Sequence, residues 1–347
     1  MGTLYRRGTR AMNDVVVAHA VENLTLHELK LFIRLLYRSS LTARSDLLFV
    51  FPSKTTAFDN AILQENDSFS KLVTQYGEKL SGNESSQSQS GFDPTHFMKV
   101  GKESREPIWG KKSRGNFSEE FETELTRPSY GSVVGFEVEE LDPENSLSGF
   151  LDHVPMSLRR WACYPMLLGR VRRNFKHVML VDIKEMLLLG DPLGRVRGQS
   201  PESVLVKVVT QLGKHGRKSP EKNRQKLAHP GIVMGGSRGV RRVSNAMLTD
   251  IVRASMQHKK KSPVTESGLF NQLIGNDFVL KNVNLIVSTE SMPEVSSLVG
   301  SNRKTGSYLF TTNYTMIRRG NSNLDVSSMV MKHICSFPID SMVYSDC

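Results

Sequence analysis

Cysteine is scarce in this sequence: Cys163, Cys335 and Cys347 are the three among 347 residues. Three cysteines are too few for a fold held together by a set of disulfides, and none has zinc-site spacing with a second ligand. No run of about 18 apolar residues occurs, so we expect no segment to span a membrane. Residues 1–10 carry three arginines with no apolar stretch behind them, which is not the pattern of a secretory signal.

The best-known phosphate and metal motifs are absent as well. The sequence has no P-loop ending in Gly-Lys-Ser/Thr, no Gly-x-Gly-x-x-Gly after a predicted strand and no His-Glu-x-x-His. These absences exclude P-loop NTPases, ordinary dinucleotide-binding folds and zinc proteases of that type. The small residues of 235–239 could approach a phosphate at a helix start; the alternative is a tight turn between a strand and a helix.

The sequence contains enough apolar residues, 38% of the total, for a sizeable core. Val15–Ala18 predicts a buried strand, and Thr25 with Glu28 forms a capping box at the start of the next helix. Asp46–Phe51 predicts a second strand, and Phe58–Tyr76 predicts a second helix. This alternation predicts an α/β fold with a mostly parallel sheet flanked by helices.

We expect a single domain over residues 1–347 with one long polar insertion. Residues 12–80 form its first β-α-β part, 81–130 form a flexible insertion, and 131–347 form the remainder. The insertion begins with Ser81–Gly91, which is rich in Ser, Gln and Gly.

Further elements are predicted after the insertion from apolar patterning and turn residues. The predicted strands are 132–138, 177–182, 229–236 and 283–287, with two weaker strands after Tyr308. The predicted helices are 156–175, 240–258 and 266–274. Pro165 is expected to kink or split the first of these helices.

Positive charge is concentrated in one part of the chain. The formal net charge is +11, yet residues 157–261 hold 23 Lys and Arg against 6 Asp and Glu. Such a block favours an anionic partner: nucleic acid, a membrane surface or the phosphates of a small molecule. The alternative is a solvated basic surface.

The most informative segment is His177–Pro192. Four apolar residues lead to Asp182, and a second apolar run ends at Asp191-Pro192. The pattern predicts a central strand with Asp182 at its carboxyl end, where ligands bind in open α/β sheets. The alternatives are that Asp182 only caps the strand and that Lys184 only faces solvent.

This segment resembles the GT-A glycosyltransferases of the nucleotide-diphospho-sugar transferase superfamily. In that family a hydrophobic strand runs into an Asp-x-Asp motif, and the apolar stretch that follows often ends in Asp-Pro. Further landmarks follow in the family's order: the opening strand at Val15–His19, the strand and small-residue turn at His229–Gly236, and the short helix at Glu266–Gln272. Outside the insertion, residues 12–347 also resemble a plant family of transferase-like proteins.

The resemblance implies a divalent metal, Mn²⁺ or Mg²⁺, held by the two carboxylates of the Asp-x-Asp motif. Here the motif reads Asp182-Ile183-Lys184, so a lysine stands in place of the second carboxylate and would repel the metal. Either Lys184 and nearby arginines supply the charge that stabilises a diphosphate, or the site binds without catalysing. Glu185 is the nearest carboxylate that could replace the missing one, but the alternation of side chains along a strand is expected to point it to the opposite face of the sheet from Lys184.

The resemblance also implies a set of site residues. Nucleotide or diphosphate contacts are expected from His19, Glu22, Asp182, Lys184 and His333. The sugar or acceptor pocket is expected to contain Gly235, Gly236 and Asn271. If a metal is bound, Asp182 is its only expected ligand, and no residue is identified as the catalytic base. His333 has an ordinary structural role as its alternative.

Several basic and aromatic residues of helix 156–175 also have two interpretations. The arginines either form an exposed face or contact phosphate or acceptor: Arg159, Arg160, Arg170, Arg172 and Arg173. Trp161 and Tyr164 are favoured as core residues over platforms for sugar stacking.

The predicted function is a glycosyltransferase-like protein that binds a UDP- or GDP-sugar and transfers the glycosyl group if it is active. One alternative is a non-catalytic scaffold of the same fold. The other, ranked last because exposed aromatics and recognition motifs are missing, is nucleic-acid binding through residues 157–261. The sequence does not fix the compartment. The resemblance implies the Golgi or endomembrane system, where relatives are held by an N-terminal membrane helix; this sequence contains no such helix, so we expect either a soluble protein or a sequence that is truncated at its N-terminus.

Overall fold

The fold is taken from a computed structural model. It describes residues 12–53, 55–81, 92–98, 129–141, 154–170, 175–212, 224–256, 264–298, 310, 313–320 and 325–347.

The strands of the described residues form one large sheet and one small sheet. They are β1 (Asp14–His19), β2 (Ser45–Phe51), β3 (Val133–Glu137), β4 (His177–Asp182), β5 (Met186–Leu188), β6 (Ser203–Leu212), β7 (Arg224–Gly236), β8 (Asn284–Ser291) and β9 (Met316–Arg318). The large sheet has the order β3-β2-β1-β4-β7-β6-β8, and β5 pairs with β9. Neighbours in the large sheet are parallel, except that β7 runs antiparallel to β4 and β6.

Helices cover both faces of the large sheet. They are α1 (Leu26–Arg38), α2 (Thr56–Ser81), α3 (Val138–Leu141), α4 (Met156–Arg170), α5 (Ser237–Met256), α6 (Glu266–Ile274), α7 (Val295–Leu298), α8 (Val326–Ile334) and α9 (Pro338–Val343). Side chains of β1 alternate between the two cores: Val16 and Ala18 face α1, α2 and α8, whereas Val15 and Val17 face α4, α5 and α6. The predicted mostly parallel α/β sheet flanked by helices is therefore confirmed.

The start of α1 follows the predicted capping box. The backbone N–H of Glu28 donates to the Thr25 hydroxyl over 3.2 Å, and Glu28 accepts from the Thr25 backbone N–H over 2.9 Å. This reciprocal pair satisfies two N–H groups that would otherwise have no partner. It fixes α1 directly after the loop that leaves the carboxyl end of β1.

Several expectations about the other elements are corrected. Residues 203–212, which gave no prediction, form the long strand β6. The described residues after Tyr308 contain one short strand, β9, and the helices α8 and α9, where two weaker strands were expected. Pro165 lies inside α4, so it does not split the helix, and the kink expected as the other possibility stays a prediction. Parts of the expected insertion belong to the core, since Phe92, Phe97 and Tyr130 are buried against α2.

Two of the three cysteines form a local disulfide. Cys335 at the end of α8 is joined to Cys347, 12 residues later, and Cys163 is a buried thiol. The described disulfide therefore does not link distant parts of the fold. It closes a short loop around α9.

The segment between the two bonded cysteines, residues 335–347, is held against α1. Arg34, which is buried in that helix, holds both carboxylate oxygens of Glu65 through Nε and Nη2 at 2.8 and 2.7 Å. The same Nη2 donates to Asp346 over 2.6 Å, and the guanidinium lies 3.9 Å above the ring of Tyr344. The last residues are thus tied to the middle of α1.

No helix within the described residues is both long enough and apolar enough to cross a membrane.

Candidate functional site at the carboxyl edge of β1 and β4

A crevice is expected where the order of the strands changes direction. After β1 the chain adds β2 and β3 on one side and then returns to place β4 on the other side of β1. The connections that leave β1 and β4 therefore diverge, and such switch points are the usual ligand sites of open α/β sheets. The last residues of the two strands, His19 and Asp182, are register partners at this point.

His19 lies between an acid and a phenol. Its Nε2 is 3.1 Å from Oδ2 of Asp182, and its Nδ1 is 2.5 Å from the hydroxyl of Tyr164. Burial lowers the pKa of His19 and raises that of Tyr164. The imidazole is therefore neutral, with the Tyr164 hydroxyl donating to Nδ1 and the Nε2–H donating to Asp182.

Both oxygens of Asp182 are occupied. Oδ1 accepts the backbone N–H groups of Lys184 and Glu185 at 2.8 and 2.9 Å. Oδ2 accepts from His19 and from Nη1 of Arg160, the latter at 3.2 Å. Burial raises the pKa of Asp182, whereas the Arg160 guanidinium lowers it. Four donors favour the carboxylate form, so Asp182 is the anion that orders the turn after β4.

Arg160 joins Asp182 to a second carboxylate. Its Nε donates to Oε1 of Glu266 over 2.8 Å, and its Nη2 donates to the carbonyl of Pro230 over 3.3 Å. Trp161 adds an indole N–H to the same Glu266 oxygen at 2.5 Å. Burial raises the pKa of Glu266, opposed by Arg160. Arg160 is 1% exposed, so it belongs to neither an exposed face nor an open phosphate contact. We call His19, Arg160, Tyr164, Asp182 and Glu266 the crevice cluster.

A second acid–base pair borders the cluster on β7. Nε2 of His229 is 3.6 Å from Oε2 of Glu185, and Nδ1 of His229 accepts the Gly231 N–H over 3.1 Å. Burial, with Arg318 and Arg160 nearby, lowers the pKa of His229 to about 4. A Cβ atom at Gly231 would stand 2.4 Å from Oε2 of Glu185 and 2.7 Å from Cε1 of His229, so a larger residue there would displace these side chains.

Two of the expected nucleotide contacts lie on the loop side of the crevice. The ammonium of Lys184 donates to the carbonyl of Asn23 over 3.3 Å, in the segment that joins β1 to α1. Ile183–Glu185 form a turn, so Lys184 and Glu185 diverge because of the turn and not because of strand alternation. Glu22 is exposed, and its carboxylate accepts the backbone N–H of Met156 at the start of α4 over 2.6 Å.

Arg319, which sequence reasoning did not single out, also reaches this side. Its backbone N–H donates to the carbonyl of Glu185 over 2.7 Å. Its Nη1 donates to Glu28 and to the Ser327 hydroxyl at 3.1 and 3.2 Å. Its Nε and Nη2 are buried without a hydrogen-bond partner in the part of the chain that the structure describes. Burial lowers the pKa of Arg319, and the carboxylates of Glu28 and Asp182 oppose that shift.

The glycine pair expected at a sugar pocket lies at the other edge of the sheet. Because β7 is antiparallel to β4, Gly236 pairs with His177 at the start of β4, and Gly235 pairs with Val178. A Cβ at Gly235 would stand 2.2 Å from the carbonyl oxygen of Ser203, and one at Gly236 would stand 2.4 Å from the carbonyl oxygen of Pro201. The described contacts therefore assign these glycines to close packing of backbone, away from Asp182.

Asn271 and His333 are likewise separate from the crevice cluster in their described contacts. Asn271 binds the backbone of Ala228 on both sides, accepting over 2.8 Å and donating over 3.0 Å, which fastens α6 to β7. The ring of His333 stacks on Phe310 with centroids 4.5 Å apart and contacts Phe337 edge-on. Asn271 thereby positions α6, which supplies Glu266.

The basic block does not converge on the crevice. Among its described members, Arg160 and Lys184 contact crevice residues. Arg238 instead pairs with Glu202, and Arg242 donates to the carbonyl of Asn282. Lysines 214, 218, 222 and 259–261 lie outside the described residues. That the basic block favours an anionic partner stays a prediction, and Arg238 and Arg242 of the block make their described contacts away from the crevice cluster.

The opposite ends of β1 and β4 carry a similar pair with the residue types exchanged. Asp14 and His177 are register partners there, and Oδ1 of Asp14 is 2.8 Å from Nδ1 of His177. Arg197 donates to the other Asp14 oxygen over 2.8 Å and pairs with Asp191. We call Asp14 and His177 the amino-edge pair. It provides a matched reference for His19 and Asp182.

The crevice residues do not fit a divalent metal. Both oxygens of Asp182 are engaged by donors, and a guanidinium lies 3.2 Å from one of them. Mg²⁺ and Mn²⁺ need open oxygen ligands, and a fixed cation at that distance would repel them. Within the described residues, no group of three or more His, Cys, Asp or Glu side chains is arranged to hold a metal.

Residues 1–291 match the model of the family described as Domain of unknown function (DUF7780). The chain belongs to this family. The DUF7780 match contains the crevice cluster and the amino-edge pair. It ends before Arg319, α8 and the disulfide.

Two solved glycosyltransferase structures are among those to which the chain shows similarity. The DUF7780 chain is similar to apo mouse xyloside xylosyltransferase 1, with a TM-score of 0.44 and 9% identity over 90% of this chain and 99% of that one. It is also similar to the glycosyltransferase GlyE of Streptococcus pneumoniae TIGR4, with a TM-score of 0.38 and 9% identity over 81% of this chain and 46% of that one. No curated protein matches the chain.

Proposed function

We propose that this protein binds a nucleotide-diphospho-sugar, such as a UDP- or GDP-sugar, in the crevice between the carboxyl ends of β1 and β4, and that it is a glycosyltransferase-like protein. The observation that carries the proposal is the meeting of His19 and Asp182 at the switch point of the sheet, 3.1 Å apart.

The polar contents of the crevice support this proposal over a purely structural role. Buried polar groups are expensive unless they are paired, yet four members of the crevice cluster are buried at one sheet edge, and Glu266 beside them is only 13% exposed. Perturbed pKa values concentrate at functional sites, and His19, His229, Asp182 and Glu266 are all shifted by burial. The amino-edge pair shows that ion pairing alone can also occur at a sheet edge, and it therefore serves as the control.

The sequence resemblance adds the substrate class. Asp182-Ile183-Lys184 and Asp191-Pro192 resemble the diphosphate-proximal landmarks of the GT-A enzymes, and Asp182 lies at the end of a central strand as that resemblance implies. A sugar nucleotide supplies a base and ribose for the loop after β1 and a diphosphate for the turn after β4.

The proposal is tested by calorimetric titration of the full chain with UDP, GDP and a panel of their sugars. We expect at least one of these ligands to bind. Asp182→Asn places an amide among four donors, so we expect it to weaken binding by about tenfold, equivalent to about 1.4 kcal/mol. Asp14→Asn makes the same change at the amino edge and should leave affinity unchanged. Absence of binding by every nucleotide in the panel would overturn the proposal.

Binding without transfer is the second candidate. It is favoured by one observation: the carboxylate that the resemblance assigns to metal binding is fully occupied by donors. The two candidates differ in turnover. Release of free UDP or GDP from the bound sugar nucleotide, alone or with a panel of sugar acceptors, would select the enzyme.

A further inference from the structure

Arg319 presents an unused edge of its guanidinium group. Nε and Nη2, the two nitrogens on one side of the fork, are buried without a partner in the described residues. Nη1 on the other side is held by Glu28 and Ser327 at 3.1 and 3.2 Å. A buried donor without an acceptor costs about 1–3 kcal/mol, so two in one side chain call for an explanation.

Arg34 shows what this edge does in the same protein. Its Nε and Nη2 hold the two oxygens of Glu65 at 2.8 and 2.7 Å, side by side. The edge matches the spacing of two oxygens on a carboxylate or a phosphate. Arg319 therefore lacks the kind of acceptor that Arg34 already has.

We propose that Arg319 and Lys184 bind the diphosphate of the nucleotide ligand without a divalent metal, with the Nε/Nη2 edge of Arg319 as the bidentate contact. This inference rests on the proposed nucleotide-diphospho-sugar site and names the residues that recognise its most highly charged part.

The positions of the two cations support a shared ligand. Arg319 is bonded through its backbone N–H to Glu185, the residue after Lys184. Lys184 reaches Asn23, and Arg319 reaches Glu28, so both side chains border the segment between β1 and α1. The ammonium of Lys184 has one described acceptor, a neutral carbonyl. It retains hydrogen-bonding capacity for an anion.

The other arginines described at this edge are already paired with carboxylates. The guanidinium of Arg160 forms ion pairs with both Asp182 and Glu266, and that of Arg318 forms an ion pair with Glu294. Among the carboxylates, Asp182 and Glu266 contact Arg160 and Glu28 contacts Arg319, whereas Glu185 lies beside His229. Within the described residues, the cationic groups at this edge with hydrogen-bonding capacity left for an anion are the ammonium of Lys184 and the Nε/Nη2 edge of Arg319.

The anion must displace the present packing of Arg319. Both free nitrogens are shielded from solvent, and the side chain is 13% exposed. The proposal therefore requires the Arg319 side chain to move on binding, and Glu28 holds its guanidinium through one nitrogen, Nη1.

The test uses inorganic pyrophosphate, UDP and uridine as probes of the full chain, each with EDTA and with Mn²⁺. We expect pyrophosphate and UDP to bind equally with and without Mn²⁺. Arg319→Ala should weaken both by about tenfold or more and leave uridine affinity unchanged. Arg319→Lys keeps the charge but loses the fork, so its loss should be smaller but measurable. If the alanine variant does not fold, the lysine variant carries the test.

Arg197→Ala is the control, because Arg197 is also partly buried with one free nitrogen but lies at the amino edge. It should bind pyrophosphate like the wild type. Unchanged pyrophosphate binding by Arg319→Ala, or a requirement for Mn²⁺, would overturn the inference while UDP binding could still support the proposed function. Pyrophosphate binding that depends on Arg319, with no nucleotide bound, would support the anion site and overturn the proposed function.

Discussion

His19 and Asp182 end two adjacent parallel strands, and the imidazole Nε2 of His19 lies 3.1 Å from Oδ2 of Asp182. Asp14 and His177 make the same type of contact at the other ends of these strands, at 2.8 Å. The first pair lies at the edge where open α/β sheets bind ligands, and the second lies at the edge where they do not. One pair of strands therefore contains both the candidate site and its control.

The first prediction compares the two histidines. His19→Gln removes the Nδ1 acceptor of the Tyr164 hydroxyl and alters the contact with Asp182, so we expect nucleotide affinity to fall by about tenfold. His177→Gln should bind nucleotide like the wild type, because its partner Asp14 lies at the amino edge. Calorimetric titration with UDP measures both. Equal losses in the two variants would mean that general destabilisation, and not the crevice, controls binding.

The second prediction concerns the stability of the crevice cluster. Arg160→Met leaves Asp182 and Glu266 buried without their shared cation, and we expect the free energy of unfolding to fall by about 3–5 kcal/mol. Arg159→Met on the same helix removes one described bond, to the carbonyl of Val154, and should cost about 1 kcal/mol or less. Urea unfolding followed by circular dichroism gives both values. Similar costs for the two variants would contradict the buried role of Arg160.

The third prediction concerns pH and His229. Folded His229 titrates at about 4, whereas an unfolded histidine titrates near 6.5, so on acidification the unfolded chain takes up a proton that the folded chain does not. The contribution of His229 to the free energy of unfolding is fully present above about pH 6.5. It is lost as the pH falls toward 4, by up to about 1.4 kcal/mol per pH unit.

His229→Gln should flatten the slope of unfolding free energy against pH in this window. The raised pKa values of Asp182 and Glu266 act in the opposite direction, since protonation relieves their burial, but they are present in both proteins. The difference between the two slopes therefore isolates His229. Parallel slopes from pH 4 to 6.5 would show that folding does not lower the pKa of His229.

The fourth prediction concerns metal dependence. Lys184→Asp restores the Asp-x-Asp pattern, yet we expect no Mn²⁺-dependent nucleotide binding, because both oxygens of Asp182 remain engaged by donors. UDP affinity should instead fall in EDTA and in Mn²⁺ alike, since a cation is replaced by an anion. Titration of the variant with UDP, with and without Mn²⁺, tests this. Mn²⁺-dependent recovery of binding would show that the lysine alone keeps the metal out.

The fifth prediction concerns the disulfide. Replacing Cys335 and Cys347 together by Ser opens the loop around α9, and we expect a loss of about 3 kcal/mol in unfolding free energy. Adding reductant to the wild type should give the same loss. A Cys163→Ala variant should respond to reductant like the wild type, because its thiol is not part of the bond. If reductant changed nothing, the two cysteines would not be joined in solution.

Local features of the fold were predictable because they depend on neighbouring residues. The apolar run of Val15–Ala18 and the capping box of Thr25 and Glu28 have the structures that their patterns indicate. Asp182 lies at the end of a central strand for the same reason, since a buried parallel strand needs an uninterrupted apolar run.

The composition of the site was less predictable because it depends on strand direction and on distant partners. An apolar run does not encode whether β7 runs parallel or antiparallel, and its antiparallel direction moves Gly235 and Gly236 to the amino edge. The burial of Arg160 could not be inferred because its partners, Asp182 and Glu266, are 22 and 106 residues away. Arg319 lies in a short strand region with no motif around it.

The bond between Cys335 and Cys347 bears on how binding should be assayed. It closes the segment that contains Asp346, which accepts a hydrogen bond from Arg34 in the middle of α1. The first turn of the same helix contains Glu28, which accepts a hydrogen bond from Arg319. Reducing agents, commonly added to protect a thiol, would here loosen the support of a helix that borders the crevice. Cys163 is buried and needs no such protection. Ligand titrations belong in non-reducing buffer, where a negative result reports on the crevice and not on a released C-terminal segment.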